Sequence, residues 1–162
     1  TLAALAPRPG EMLWDIGGGS GSVAIEWLLA HPRNRAISIE ADAGRAERLR
    51  ANADRLGVDR LACVTGTAPE ALDAPDLAGT APDAVFVGGG LSPALLDRLV
   101  ALGPGTRIVA NAVTLESEAL LTRARQAHGG TLMRIDIARA RPLGTRTGWA
   151  AAYPIVQWSV VL

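Results

Sequence analysis

A chain of 162 residues whose sixteen basic and sixteen acidic side chains cancel has no global field to draw it to nucleic acid or to an anionic membrane surface. With 49% apolar residues it is not a disordered chain, and it is long enough to bury one ordinary core. A lone Cys63 excludes an internal disulfide and no apolar run approaches the ~20 residues that span a bilayer, so we expect a soluble protein of a reducing, cytoplasmic compartment, with no membrane or nucleic-acid partner.

All sixteen basic residues are arginine. A guanidinium fork suits carboxylate ligands, although a compositional bias of the genome gives the same count. The chain opens on Thr1 and not on Met, and we expect it to be part of something longer.

In chain order, the apolar run Met12–Ile16 predicts a buried strand, and Ser22–Ala30 a helix behind it. Ala36–Ile39 is the next strand, followed by a helix over Ala43–Leu56 that Gly57 closes as a C-cap. Leu61–Val64 is a third strand, with Cys63 as a small buried hydrophobe. The Pro-rich stretch 68–82 has room for only a short helix and loop. Ala84–Val87 and Arg107–Ala110 complete five strands, with helices over Pro93–Leu102, N-capped by Ser92, and Leu115–Ala127. Alternation of this kind predicts a parallel α/β sheet covered on both faces, with ligands at the carboxyl ends of its strands. The last third differs. Thr131–Ala140 and Ala150–Leu162 are both strand-like, and Arg141–Gly148 between them is turn-rich, which predicts an antiparallel hairpin at the sheet edge. There is no repeat or linker, so the reading is one domain.

The strongest local signal is Asp15-Ile16-Gly17-Gly18-Gly19-Ser20-Gly21, with Ser22 opening the helix after it. Glycines there allow positive φ and a close approach of backbone to a ligand. The dinucleotide spacing Gly-x-Gly-x-x-Gly puts Ser22 in its last place, so an NAD loop fits poorly. The actual spacing, acidic-x-Gly-x-Gly-x-Gly, resembles the first motif of Rossmann-like, class I methyltransferases, whose loop receives the amino-acid part of S-adenosyl-L-methionine. Glu40, at the end of the second strand beside Ala41 and Asp42, can accept from both hydroxyls of a ribose. The class resemblance implies that Gly66, Thr67 and Ala68 border the adenine and that Gly88 and Gly89 flank the same cleft. The alternative is that the glycines only form tight turns and that Glu40 and Asp42 only cap the second helix.

Rarer strings narrow the class. Gly66-Thr-Ala-Pro-Glu-Ala-Leu72, Phe86-Val-Gly-Gly-Gly90, Asn111-Ala-Val-Thr-Leu-Glu116, Ala138-Arg-Ala-Arg-Pro-Leu-Gly144 and Pro154-Ile-Val-Gln-Trp158 together resemble the cobalamin-biosynthesis methyltransferases that act on precorrins, and among them the decarboxylating domain of the precorrin-6Y C5,C15-methyltransferases. The likeness covers nearly the whole chain. It implies a mostly parallel seven-stranded sheet ending in an antiparallel hairpin. It also implies methylation at C15 of a reduced tetrapyrrole (precorrin-6B to precorrin-8) with loss of carbon dioxide from the ring C acetate. S-adenosyl-L-methionine would be the methyl donor and S-adenosyl-L-homocysteine the product. An N-terminal C5-methyltransferase domain in the same protein and a homo-oligomer, as a tetramer, are implied as well. The family's Thr-Lys-x-x-Val-Arg segment is not in this sequence.

Such a reaction needs alignment and exclusion of water and no metal. Arg139, Arg141 and Arg146 flank the expected hairpin loop and are candidates to grip precorrin carboxylates; ordinary exposed charge is the alternative. Asn111, Thr114 and Glu116 follow the fifth strand, where substrate-facing groups belong, and a buried Glu116 could exchange protons. Its alternative is a helix-dipole partner, with Thr114 as cap. Trp149 and Trp158 could pack on a macrocycle but suit sheet core or interface better, and His31 and His128 are read as helix ends. Rival readings are a class I methyltransferase acting on RNA, protein or another metabolite, and a non-catalytic nucleotide-binding module. Gly88-Gly-Gly-Leu-Ser92 lacks the Pro-Pro-aromatic string of enzymes that methylate exocyclic amines.

Overall fold

The computed structural model describes residues 1–162. Its main sheet has seven strands in the order β3-β2-β1-β4-β5-β9-β6. The first five are β1 (Met12–Ile16), β2 (Arg35–Glu40), β3 (Ala62–Thr65), β4 (Ala84–Val87) and β5 (Arg107–Ala112), and they pair in parallel. The order turns outward in both directions from β1 and β4, so the crevice between their carboxyl ends is the place where this topology leaves room for a ligand.

Helix ends follow local signals. Asp42, Ser92 and Thr114 each cap a helix by accepting a backbone N–H, and these helices are α3 (Ala43–Arg55), α4 (Pro93–Val100) and α5 (Leu115–His128). Helix α2 (Ser22–Ala30) has no side-chain cap and begins at Gly21, at φ 82°. A short α1 (Leu2–Leu5) precedes β1. The stretch 68–82 holds two 3-10 turns, Glu70–Asp73 and Pro75–Leu77, whose Leu72 and Leu77 reach the core.

The strands alternate between two cores. Met12, Trp14 and Ile16 join β4, β5, α4 and α5 residues in one cluster, and Leu13 joins Leu5, Trp27, Leu28 and Leu49 in the other. Cys63 is only half-buried, because β3 is the sheet edge.

The C-terminal hairpin differs from its expected form. Strand β9 (Ile155–Val161) does not lie at the edge. It enters between β5 and β6 (Thr131–Ile135), antiparallel to both. The stretch expected as a loop, Arg141–Gly148, is instead mostly strand: β7 (Ala138–Leu143) and β8 (Arg146–Ala151) form a separate ribbon. Gly144, at φ 60°, opens its two-residue turn, the conformation that a tight hairpin needs. Pairing of Ile135 with Ile155 puts the root of the ribbon at the carboxyl end of the sheet. Trp158 is fully buried in the core, whereas Trp149 is 80% exposed on the ribbon. No helix is long and apolar enough to cross a membrane.

Candidate active site

The site starts where β1 ends. The backbone N–H groups of Gly17 and Gly18 both donate to the Ile39 carbonyl, at 2.8 and 3.1 Å, which folds the loop across the end of β2. Gly17 has φ 74°, and a Cβ there would lie 2.8 Å from the Gly89 nitrogen. Gly88 in turn donates to the Ile16 carbonyl at 2.8 Å. The loops after β1 and β4 therefore touch backbone to backbone, and a side chain at position 17 would push them apart.

Glu40 ends β2 almost fully buried. One carboxylate oxygen accepts from the Gly19 N–H at 2.8 Å and the other from the Asp42 N–H at 2.9 Å. The two acids divide the roles that the sequence left open. Asp42 caps α3 by accepting from the Arg45 N–H, and Glu40 ties the β2 end to the glycine loop. Each Glu40 oxygen keeps a second lone pair for a ligand hydroxyl.

Asp15 does not line the cleft, contrary to a direct contact with cofactor. Its place in the alternation turns it toward α2 and α3, where it is 1% exposed. One oxygen accepts from the Ser38 hydroxyl at 3.0 Å, and the other has no hydrogen-bond partner. Burial pushes its pKa up to about 6, against the opposing pull of the Ser38 hydroxyl and of the Ala24 N–H, which faces the carboxylate outside hydrogen-bond geometry, and with the added repulsion of Glu40.

The cleft above these residues holds about 260 Å³ and is lined by Gly17, Glu40, Ala41, Gly66, Thr67, Ala68, Gly88 and Gly89, all anticipated, and by Ile16, Ile39, Arg45 and Gly90, which were not. Arg45 sits in the first turn of α3, and helical side chains lean toward the N-terminus; that rule was the signal that would have found it. Gly18, Gly19, Ser20, Gly21 and Ser22 shape the loop without lining the cleft, and the Ser20 carbonyl is held by Asn52 at 3.0 Å. Glycine walls and a buried carboxylate at one end fit a ligand that carries a ribose and is read mainly by backbone.

The other candidates lie along the carboxyl edge. The amide nitrogen of Asn111 donates to the Thr1 hydroxyl at 3.0 Å, and its oxygen accepts from Gln157 at 2.8 Å, so both ends of that amide are engaged within the protein. Thr114 caps α5. Glu116 is exposed in the first turn of that helix and so lacks the buried setting expected of it; an N-terminal helix carboxylate is the role its position supports. Arg139, Arg141 and Arg146 are exposed. The register sets Arg139 opposite Ala150, Arg141 opposite Gly148 and Leu143 opposite Arg146. Since side chains alternate between faces along a strand, all three arginines share one face of the ribbon. No cluster of potential metal ligands is present.

A family model described as a precorrin methyltransferase domain matches residues 1–162. The chain belongs to the precorrin methyltransferase family. Among its relatives, a Sinorhizobium sp. protein named precorrin-6Y C(5,15)-methyltransferase [decarboxylating] is 53% identical over 98% of this chain and 38% of its own length. A Mycobacterium tuberculosis protein of the same name is 46% identical over 99% of this chain and 40% of its length. This member of the family thus spans about two fifths of those curated relatives. The solved C-terminal domain of precorrin-6Y C5,15-methyltransferase from Rhodobacter capsulatus superposes with a TM-score of 0.92 at 59% identity, covering 100% of this chain and 86% of that one. The seven-stranded methyltransferase sheet and its C-terminal antiparallel strands are accordingly features of the family.

Proposed function

We propose that this domain methylates C15 of a reduced precorrin and removes carbon dioxide from its ring C acetate, converting precorrin-6B to precorrin-8 in cobalamin biosynthesis. The observation that carries the reading is the pairing of Glu40 with the Gly17–Gly21 loop at the β1–β4 crevice, in a chain that belongs to the precorrin methyltransferase family. S-adenosyl-L-methionine, when bound, supplies an electrophilic methyl on a sulfonium and leaves as S-adenosyl-L-homocysteine. Glu40 would accept from the ribose hydroxyls, Gly66 to Ala68 would border the purine, and the backbone of Gly17 at the cleft wall would receive the amino-acid end, the N–H groups of Gly17, Gly18 and Gly19 being held by Ile39 and Glu40.

With the donor bound, the macrocycle carbon would take the methyl while the sulfur keeps the bonding pair, and the proton of that carbon would pass to solvent. Decarboxylation returns a proton to the acetate-derived carbon, with the conjugated substrate as electron sink. The protein's part is to orient the two reactants and exclude water. Asn111, Thr114 and Glu116 follow β5 at the carboxyl end of the sheet and are assigned to the substrate side of the site, Asn111 and Thr114 as positioning groups. The arginine face of the ribbon takes substrate carboxylates. It leaves the sheet at the same end as the cleft, about three strand spacings from β4, roughly 14 Å.

The domain is read as one part of a longer, cytoplasmic, bifunctional protein with an N-terminal C5-methyltransferase, which the two-fifths coverage of its relatives supports. It is also read as a homo-oligomer, which the exposed edge strand β6 and exposed Leu143, Trp149 and Tyr153 support, with a tetramer as the form the family resemblance implies. Mass spectrometry of precorrin-6B incubated with the domain and cofactor tests the central claim by following methyl gain and carbon dioxide loss separately. Both changes support it. Cofactor binding with an unchanged precorrin, in the domain and in the full-length protein, would move the activity to another substrate.

A further inference from the structure

Beneath the glycine loop lies a buried carboxyl–hydroxyl pair that the reaction above does not use. Ser38 is 0% exposed and Asp15 1%. The Ser38 hydroxyl donates to one Asp15 oxygen at 3.0 Å, while the other oxygen is buried without a partner. The loop rests directly on this pair, since a Cβ at Gly18 would lie 2.1 Å from the Ser38 hydroxyl oxygen.

We propose that Asp15 and Ser38 are positioning residues for the glycine loop, and that binding of the cationic methyl donor in the cleft above them is coupled to release of a proton from Asp15. The inference rests on the cofactor assignment given above.

The surroundings of Asp15 lack a counterion. Strand β2 contributes Ser38 and Glu40, the latter an added negative charge; β3 contributes the Cys63 thiol, which burial pushes up and so keeps neutral. Strand β4 places Phe86 opposite Asp15, and α2 offers only the Ala24 N–H. Helix α3 carries Arg50, which is spent on the Cys63 carbonyl at 2.9 Å and the Thr65 hydroxyl at 3.3 Å, and Arg45, which lines the cleft; neither is among the groups that act on the Asp15 carboxyl. In the free protein Asp15 accordingly holds its proton up to about pH 6. A ligand with an ammonium and a sulfonium supplies the missing positive charge and favours the ionised carboxylate. By linkage, a ligand that binds better to the ionised form binds less well once the pH falls below that value.

The test is calorimetric titration of the domain with S-adenosyl-L-methionine at pH 6 in buffers of different ionisation enthalpy, with Kd followed from pH 8 to pH 5. The expected result is release of about half a proton at pH 6 and a Kd that is level near pH 7 and rises roughly tenfold by pH 5. Asp15→Asn abolishes both. Ser38→Ala removes a hydrogen bond that favours the ionised form, so its inflection moves to higher pH, which a merely structural role would not produce. 5′-Methylthioadenosine, which carries neither charge, binds without proton release. Binding of the donor with no proton exchanged at pH 6 overturns the proposal, as does a pH profile that survives Asp15→Asn or is lost in Cys63→Ala. Failure of the donor to bind at any pH overturns the cofactor assignment instead, and the proposal with it.

Discussion

Arg107 and Glu11, 96 residues apart in sequence, meet as a two-pronged ion pair, with both guanidinium NH2 groups on the two carboxylate oxygens. The Nε of Arg107 donates to the Leu5 carbonyl at 2.9 Å, so a single side chain fastens α1, the entry to β1 and the start of β5. Their side chains are only 9% and 14% exposed. Removing one partner leaves a nearly buried charge unpaired, and such losses cost about 3–5 kcal/mol. Glu11→Ala should therefore lower the stability of the domain by about 3 kcal/mol in denaturant titration, and replacing both residues with apolar ones should cost less than either single change.

Gly18 offers a test of close packing. Ala at this position collides with the Ser38 hydroxyl, and the loop must move. Gly18→Ala is expected to weaken cofactor binding about tenfold, and Ser38→Gly in the same chain to recover part of that loss. A double-mutant cycle on Kd reads the coupling, which should be about 1 kcal/mol for residues in contact; additive effects would show that the loop does not rest on Ser38.

Glu40 has a double load, because it orders the loop through Gly19 and is assigned the ribose. Glu40→Ala should raise the cofactor Kd at least tenfold, in keeping with about 1.5–3 kcal/mol for a hydrogen bond to a charged group. Calorimetry, with circular dichroism to show a folded domain, checks this. An unchanged Kd removes the ribose assignment.

The ribbon arginines predict a different kinetic signature. Arg141→Ala should raise KM for the precorrin several-fold and leave the cofactor Kd alone, and the triple change at Arg139, Arg141 and Arg146 should raise it further. Because these charges are exposed, their contribution should shrink as salt is added. Steady-state assays at low and high ionic strength give both answers.

Asp15 also sets a pH dependence of stability. Its folded pKa of about 6 stands above the 3.8 of a free aspartate, so between these values the folded state keeps a proton that the unfolded chain has lost. Stability therefore falls as pH rises from about 4 to about 6 and is level above that. A shift of this size corresponds to about 3 kcal/mol. Asp15→Asn should be the more stable protein at pH 8, with the difference vanishing near pH 4.

Much of this was legible beforehand. Strand β4 and helix α2 have the expected bounds because turn residues flank both, Pro82 and Gly88 the strand and Gly21 and Pro32 the helix. The glycine loop and Glu40 were readable because their chemistry is local: one turn, and one strand end about twenty residues on. That Asp15 turns away from the cleft was not legible, for a physical reason. A strand covered on both faces has apolar neighbours everywhere, and alternation alone does not say which face meets the ligand. Arg107–Glu11 and Asn111–Gln157 depend on strands that meet only after folding, so no spacing announces them. The hairpin was read as one long pair because Asp136 and the residues before Ile155, where the strands break, carry no strong stop signal apart from Pro154.

Strand β9 has a further meaning for assembly of the chain. Parallel strands β1 to β5 and their helices make a sheet whose growing edge is β5, but β6, next in sequence, does not bond to it. Its only partner in the sheet is β9. Until β9 threads into the gap, β6 and the ribbon residues have no place on the framework, and β5 keeps an open row of backbone donors and acceptors. The topology thus makes β9 the strand whose pairing satisfies β5 and β6 together, around the buried Trp158. A chain interrupted before that step would present two unsatisfied edges at once, a state that invites pairing with another molecule.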